Sequence, residues 1–403
     1  MKILMVNKFL YPKGGAETYV LKLGQLLEDR GHQVAWFGLA NERNVVGNPA
    51  DMFVSDLDFS KGVLKNLHAP FRMIYCAEAR RKLRKLLDVF QPDVVHLNNI
   101  QFHLTPSVIL ETEKYRQESG KSVRIIYTAH DYQLICPSHG LFDGRHQVCE
   151  KCLRGQYLHC LTGKCIKKSY AKSFLGMLDG YVWKHSRAYD GIDHIICPSA
   201  FLKSKLDTQP RFREKTVVIH NFAERIPAVE VQKEDYVLEF GHLSRDKGTL
   251  TLLEAARRLP DVQFVFAGFG PALDQMEDIP NAAYVGFKTG EELRNLIRCA
   301  AVSVYPSEWY ENCPFSVIES QICGTPVIGS RIGGIPELIQ EGVTGELFAP
   351  GNVDSLQEAL KKVFFTPGLA EQYSKNCRQA AFETPDSYYK KLMDIYGAAY
   401  EDL

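Results

Sequence analysis

The sequence has no surplus of charge of either sign: 48 Lys+Arg balance 48 Asp+Glu over 403 residues. Such a chain has no overall field drawing it onto a polyanion, and its basic residues belong to no recognisable nucleic-acid module, so nucleic acid is not expected as a partner. Long hydrophobic runs are lacking too; none reaches the roughly 18–20 residues that span a bilayer. The first apolar run is short and interrupted by Asn7 and Lys8, unlike a signal peptide. A cytoplasmic protein is the expectation. The frames G-x-G-x-x-G and G-x-x-x-x-G-K-[ST] are absent, which excludes the dinucleotide fingerprint and the Walker phosphate loop. Nothing repeats at a fixed period.

What is present is an ordinary globular composition, 45% hydrophobic and 24% charged, long enough for two domains at roughly 100–200 residues each. Short β-rich runs alternate with segments of helical period, the pattern of parallel sheets covered by helices on both faces. In the first half the strand candidates are 2–7, 33–38, 93–97, 124–129 and 194–198. In the second they are 216–220, 236–240, 262–267, 282–286, 301–306 and 326–329. The reading is α/β, with two Rossmann-like doubly wound domains facing across a cleft. The N-terminal domain covers 1–205, with a Cys-rich insertion at 136–165. The second covers 215–378, and a helix in 379–403 packs back toward the first.

Two features are local. Residues 1–200 carry 27 basic against 19 acidic side chains, so the N-terminal half is suited to an anionic surface, or is simply a domain with a different skin. Five of the eleven cysteines fall at 136, 149, 152, 160 and 165. Cys149-x-x-Cys152 has metal-ligand spacing, and Cys160 and Cys165 could complete four thiolates around a structural zinc. Reduced buried thiols and a disulfide hairpin are the other readings, the last disfavoured in the cytoplasm.

Ligands of such folds bind beyond the carboxyl ends of the strands, so the loops there carry the chemistry. After the first strand, Gly14-Gly15 opens a helix whose free N–H groups suit an anion. After 124–129 stands His130, a catalytic or substrate-orienting candidate. After 236–240, the run Gly241-His242-Leu243-Ser244-Arg245-Asp246-Lys247-Gly248 sets Arg245 and Lys247 beside a helix start, a clamp for a diphosphate. After Pro306, Glu311 lies at the mouth of a helix and Glu319 more than a turn inside it, on the order of 10–12 Å apart. Hydrolase carboxylates sit closer, at roughly 5–9.5 Å. This pair is spaced to grip two ends of one elongated ligand. Gly333-Gly334-Ile335-Pro336-Glu337 adds a second loop permitting close backbone approach. Together these features imply a nucleotide diphosphate joined to a polyhydroxylated group, a nucleotide sugar.

In these motifs the chain resembles the family 4 retaining glycosyltransferases of GT-B architecture, of the kind acting in bacterial surface polysaccharide synthesis. The resemblance runs nearly end to end, and Glu311-x7-Glu319 is its most specific part. It implies that Glu319 binds the ribose hydroxyls and Glu311 those of the donor sugar. Backbone N–H groups around Phe315 and Ser316 would hold sugar and phosphate, and Lys247 with an arginine would neutralise the leaving diphosphate. His130 would touch the donor sugar, and Gly15 would lie against the diphosphate. No cofactor is implied for the chemistry; the donor is a nucleoside diphosphate sugar. Two positions depart from the family pattern. His242 stands where an arginine is usual, leaving Arg245 to supply that charge. Pro314 replaces a frequent glycine and removes one N–H.

The acceptor expected is a glycan or a lipid-linked glycan precursor at an anionic membrane. The basis is two basic amphipathic stretches, Lys61–Lys85 and Lys164–Arg187, each of which reads equally as a solvated helix face. An epimerase or a phosphorylase could use the same architecture, but the spaced glutamates favour transfer and no lysine is placed for pyridoxal phosphate. From another class, the chain could be an inactive sugar-nucleotide-binding scaffold subunit.

Overall fold

The computed structural model describes residues 1–56, 69–227, 229 and 231–397. The chain forms two compact units: Met1–Ile219 with the C-terminal segment from Pro385, and His220–Thr384.

The sheet of unit 1 is built from β1 (Lys2–Val6), β2 (Gln33–Phe37), β3 (Val94–Leu97), β4 (Arg124–Thr128), β5 (His194–Cys197) and β6 (Thr216–Val218). The order is β2-β1-β3-β4-β5-β6, all parallel. Both faces are covered, so β1 and β3 read as continuous apolar runs that are almost fully buried. The run at 216–220, expected to open the second domain, instead closes the first sheet: Thr216–Val218 pairs with Ile195–Cys197. Helix Gly15–Asp29 connects β1 to β2 and buries Tyr19, Val20, Leu23 and Leu27 on one face.

Helix Pro385–Tyr396 buries Tyr388, Leu392, Met393 and Tyr396. Its polar contacts include three to the sheet side of unit 1. The Tyr396 hydroxyl meets Nδ1 of His96 at 2.6 Å, Tyr389 meets Nε2 of His32 at 2.8 Å, and the Tyr388 hydroxyl bonds that of Tyr19.

Unit 2 has β7 (Glu234–His242), β8 (Gln263–Phe269), β9 (Ala282–Tyr284), β10 (Ala300–Tyr305), β11 (Val327–Ser330) and β12 (Gly345–Phe348), in the order β12-β11-β10-β7-β8-β9 and again all parallel. The chain runs outward from β7 to β9 and then crosses to β10, so the point where its direction reverses lies between β7 and β10. Ligand crevices form outside the strand ends at such a point. The main core packs Val237, Phe264, Phe266, Val302 and Ile328 against helices Thr249–Arg258 and Val353–Phe365.

Part of the charge of the basic stretch 61–85 is paired within the fold. Its first eight residues lie outside the described residues. Beyond them Arg72 pairs with Glu78 at 3.0 Å, Lys82 with Glu78 at 2.8 Å, Arg80 with Glu111 at 2.7 Å and Arg84 with Asp88 at 2.9 Å. Helix Ala77–Phe90 buries Leu83, Leu86, Leu87 and Phe90 beneath these pairs. It is a helix face over the core whose cations are partly paired, with Arg81 and Lys85 exposed.

Candidate active site

The switch point of unit 2 gathers several of the expected residues. The loop after β7 carries Lys247, the loop after β10 carries Glu311, and the ammonium of Lys247 pairs with Oε1 of Glu311. Both side chains are largely withdrawn from solvent, 22% and 10% exposed, so the pair is screened far less than a surface one. The same carboxylate oxygen accepts from the Tyr305 hydroxyl at 3.1 Å and from Ser307 Oγ at 3.3 Å. Lys247 also stands 4.9 Å from the Trp309 ring centre, a cation–π contact that fixes its direction. Tyr305, Ser307 and Trp309 carry no acid–base signature of their own in the sequence, and only the Lys–Glu pair they surround could have pointed to them.

Backbone contacts hold this loop rigid. Glu308 N–H donates to Asp246 O at 3.0 Å, tying the loop after β10 to the loop after β7. Gly334 N–H donates to Glu311 O at 2.7 Å, and Ser330 Oγ donates to Ser307 O at 2.5 Å. Gly333 is left-handed (φ 60°), and a Cβ there would lie 2.2 Å from Glu311 O. The second glycine pair therefore braces the main chain of Glu311, a use distinct from the ligand contact expected of it.

Helix Phe315–Ile322 begins at Pro314, which caps it in extended conformation without a side-chain hydrogen bond. Pro314 therefore offers no side-chain cap to the start of this helix, and helix starts present N–H groups to anions. Ser316 lies beside the end of β7: a Cβ on Gly241 would be 3.9 Å from Ser316 Oγ. Glu319 is one turn along the helix and half-buried. The segment before the helix is anchored by Asn221, whose Nδ2 donates to Cys313 O at 2.8 Å and whose N–H meets Cys313 Sγ at 3.3 Å. Glu337 meets Nε2 of His220 at 3.0 Å. The stretch from Asn221, which reads as linker, starts with a residue that positions the site.

Arg245 stands in the same loop as Lys247. Its carbonyl accepts from Gly248 N–H at 2.9 Å, while its exposed guanidinium forms no ion pair among the described residues. His242 is exposed and lies 5.3 Å from the ring of Phe269, which in turn lies 5.6 Å from Phe287. Phe269 and Phe287 are 54% and 62% exposed, making an aromatic row at the carboxyl ends of β7, β8 and β9. Behind the site, Glu239 of β7 is 4% exposed. Thr249 Oγ1 donates to its Oε1 at 2.8 Å, while its Oε2 has no partner among the described residues. Burial pushes this carboxyl up to about 8, with the Thr249 hydrogen bond a smaller opposing effect.

In unit 1, Gly14 caps helix Gly15–Asp29 in extended conformation, again without a side-chain cap. His130 follows β4, its Nε2 2.9 Å from Asn98 Oδ1 and its ring 5.0 Å from Tyr19. Burial pushes His130 down to about 3, so the imidazole is neutral at physiological pH. The loops at this end also hold aromatic groups that sequence reasoning missed. Lys13 lies 3.5 Å over the Phe9 ring, and Phe102 and His139, both left-handed, stack at 4.9 Å.

The cysteine cluster is the place of the expected structural zinc, and its sulfurs lie within electrostatic reach of one another. Among the described residues no three His, Cys, Asp or Glu side chains come together as a metal-binding group. Cys149, Cys152, Cys160 and Cys165 are free thiols. Cys152 and Cys160 are buried with Tyr157, and Cys165, Ile166, Met177 and Tyr181 pack against them. Burial raises Cys152, and a hydrogen bond between Cys160 and Cys165 raises the first and lowers the second. Cys152 and Cys160 thus help fill the core of the insertion, while Cys149 and Cys165 stay partly exposed.

Residues 13–224, more than half of the chain, match the family model described as Glycosyltransferase Family 4, and residues 222–380 match that described as Glycosyl transferases group 1. An uncharacterized glycosyltransferase of Methanocaldococcus jannaschii is 29% identical over 43% of the chain and 48% of its own length. Three further relatives are matched over only 33%, 60% and 39% of theirs. An uncharacterized 42.6 kDa protein in the cps region of Klebsiella pneumoniae is 24% identical over 93% of the chain and 99% of that protein. Among solved structures, HepE of Anabaena in complex with UDP superposes with a TM-score of 0.67 at 14% identity, covering 98% of the chain and 100% of its own.

Proposed function

Given that this chain belongs to glycosyltransferase family 4, we propose that it transfers a sugar from a nucleoside diphosphate sugar to an acceptor hydroxyl with retention of anomeric configuration. The observation that carries the reading is the Lys247–Glu311 pair, held by Tyr305, Ser307 and Trp309 at the switch point of unit 2.

As the bond between the anomeric carbon and the diphosphate breaks, negative charge builds on the leaving oxygen and positive charge on the sugar. Lys247 supplies a fixed cation for the first, with the uncapped first turn of helix Phe315–Ile322 beside it and Arg245 as a mobile second charge. Glu311 accepts hydrogen bonds from the donor sugar and faces the positive charge that develops on it. Glu319 takes the ribose hydroxyls. The aromatic row of Phe269 and Phe287 offers faces on which a nucleobase stacks. Gly14-Gly15 and the start of the following helix receive phosphate, and neutral His130 offers hydrogen bonding to the donor sugar without competing charge. The departing phosphate takes the proton of the acceptor hydroxyl on the same face, so no protein nucleophile is required.

The likeness to a UDP-bound structure and to a protein of a cps region supports UDP as the first nucleotide to try and a surface glycan, or its lipid-linked precursor, as acceptor. No helix among the described residues is long and apolar enough to cross a membrane, so contact with a lipid-linked acceptor would be peripheral.

The deciding experiment is a thermal-shift panel of UDP, GDP, ADP and CDP on metal-free protein, repeated with Glu319→Ala. Stabilisation by one diphosphate, lost in the variant, supports the donor site; product NMR then reads the anomeric configuration. A folded protein indifferent to all four would refute the reading and leave a scaffold role.

A further inference from the structure

The insertion that the donor chemistry does not use encloses a cavity of about 680 Å³, within the range of small-molecule sites. Its lining includes Arg145, Lys151, Lys164 and Lys168, with Asp143 as its one carboxylate. None of the four cations forms an ion pair with a described carboxylate, whereas Arg80, Lys82 and Arg84 of helix Ala77–Phe90 all do. Asp143 is already engaged: its Oδ1 accepts the N–H groups of Arg145 and Gln147 at 2.8 and 3.1 Å.

The backbone is drawn tight to make this arrangement. Gly144 N–H donates to Gly163 O at 2.9 Å, and a Cβ on Gly144 would lie 2.6 Å from that oxygen. Lys164, Lys167 and Lys168 are all left-handed, with φ of 47°, 50° and 55°. Non-glycine residues are held there only where the surrounding structure demands it, and such outliers gather at binding sites. Like charges brought together without counter-charge repel one another, and an anion among them removes that repulsion.

Tyr170, which lines the cavity, is 59% exposed with Lys164 4.3 Å from its ring centre, and nearby in sequence Leu158 and Phe174 are 53% and 47% exposed. We propose that this cavity binds the phosphate or diphosphate headgroup of a lipid, with Leu158, Tyr170 and Phe174 entering the membrane interface around it. Cations that meet phosphate beside aromatic and aliphatic side chains are the pattern of peripheral attachment. The lipid source rests on the membrane-side acceptor reading given above; the anion site itself does not.

The test uses the full chain. Inorganic pyrophosphate is titrated by calorimetry, and co-sedimentation is measured with phosphatidylcholine vesicles with and without phosphatidylglycerol. Pyrophosphate binding that falls tenfold or more in Lys164→Gln/Lys168→Gln, and is retained in Lys164→Arg/Lys168→Arg, supports the anion site. Capture by anionic vesicles that is lost in Tyr170→Ala/Phe174→Ala, with pyrophosphate binding kept, supports the lipid source. Pyrophosphate binding without vesicle capture supports the anion site and overturns the lipid assignment. No pyrophosphate binding, or binding that the glutamine variant leaves unchanged, overturns the proposal. UDP stabilisation of the same samples reports the donor site separately, so failure of one reading is not mistaken for failure of the other.

Discussion

Glu239→Gln should abolish a pH dependence that the wild-type protein carries. The carboxyl is 4% exposed on β7 with a single hydrogen bond, from Thr249, and burial holds it at about 8 against an ordinary value of 4.5. Between those two values the folded state keeps a proton that the unfolded state has released. Stability is therefore fully present below pH 4.5 and is lost as pH rises toward 8. Each pH unit is worth about 1.4 kcal/mol, so the window allows at most about 5 kcal/mol. Relaxation and water entry reduce such penalties, so a loss of about 2 kcal/mol or more is the expectation. Glutamine keeps the shape and an oxygen to accept from Thr249 but cannot ionise. Urea denaturation of both proteins at pH 5, 6.5 and 8 makes the comparison. The variant should match or trail the wild type at pH 5 and exceed it by about 2 kcal/mol or more at pH 8. Parallel profiles would refute the claim that this carboxyl is buried protonated.

His96 and His130, both pushed down to about 3 by burial, carry the opposite sign. Their contribution is present above pH 6.5 and lost as pH falls, so hydrogen exchange of unit 1 should quicken in acid well before that of unit 2 does. Lys247→Ala should lower kcat by about 10²–10³ with a smaller change in KM, measured with the donor found in the thermal panel. In Gly333→Ala a Cβ would meet Glu311 O at 2.2 Å in a left-handed backbone, and a loss of about 1–3 kcal/mol in stability with reduced donor turnover is expected from denaturation and initial rates. Phe269→Ala and Phe287→Ala should each weaken binding of the nucleotide by about 1 kcal/mol while leaving its rank among the diphosphates unchanged, read by calorimetry.

Eleven of the twelve strands among the described residues were legible because both faces of each sheet are covered and runs such as β1 and β10 are nearly all apolar. The missed one, β12, is an edge strand. Its Glu346 is buried but paired with Lys362 at 2.6 Å, so it reads as a polar turn until that partner is seen. Lys247 and Glu311, residue types with chemistry of their own, were legible, and the fold brings them together. Those that act by contact were not. Asn221 and Tyr305 gain meaning only when the fold brings them to Cys313 and Glu311. The cysteines are a different case: their spacing suggests a zinc, and among the described residues no three metal-ligating side chains form a group that could hold one.

The final helix has a consequence in time. It buries Tyr388 and Tyr396 against Tyr19 and His96 of unit 1, yet the whole of unit 2 is translated in between. At roughly 5–20 residues per second, the ribosome leaves that face of unit 1 uncovered for on the order of ten to thirty seconds. A nascent chain stalled anywhere in unit 2 therefore displays an unfinished aromatic seam, a mark by which chaperones and proteases can tell it from a completed one.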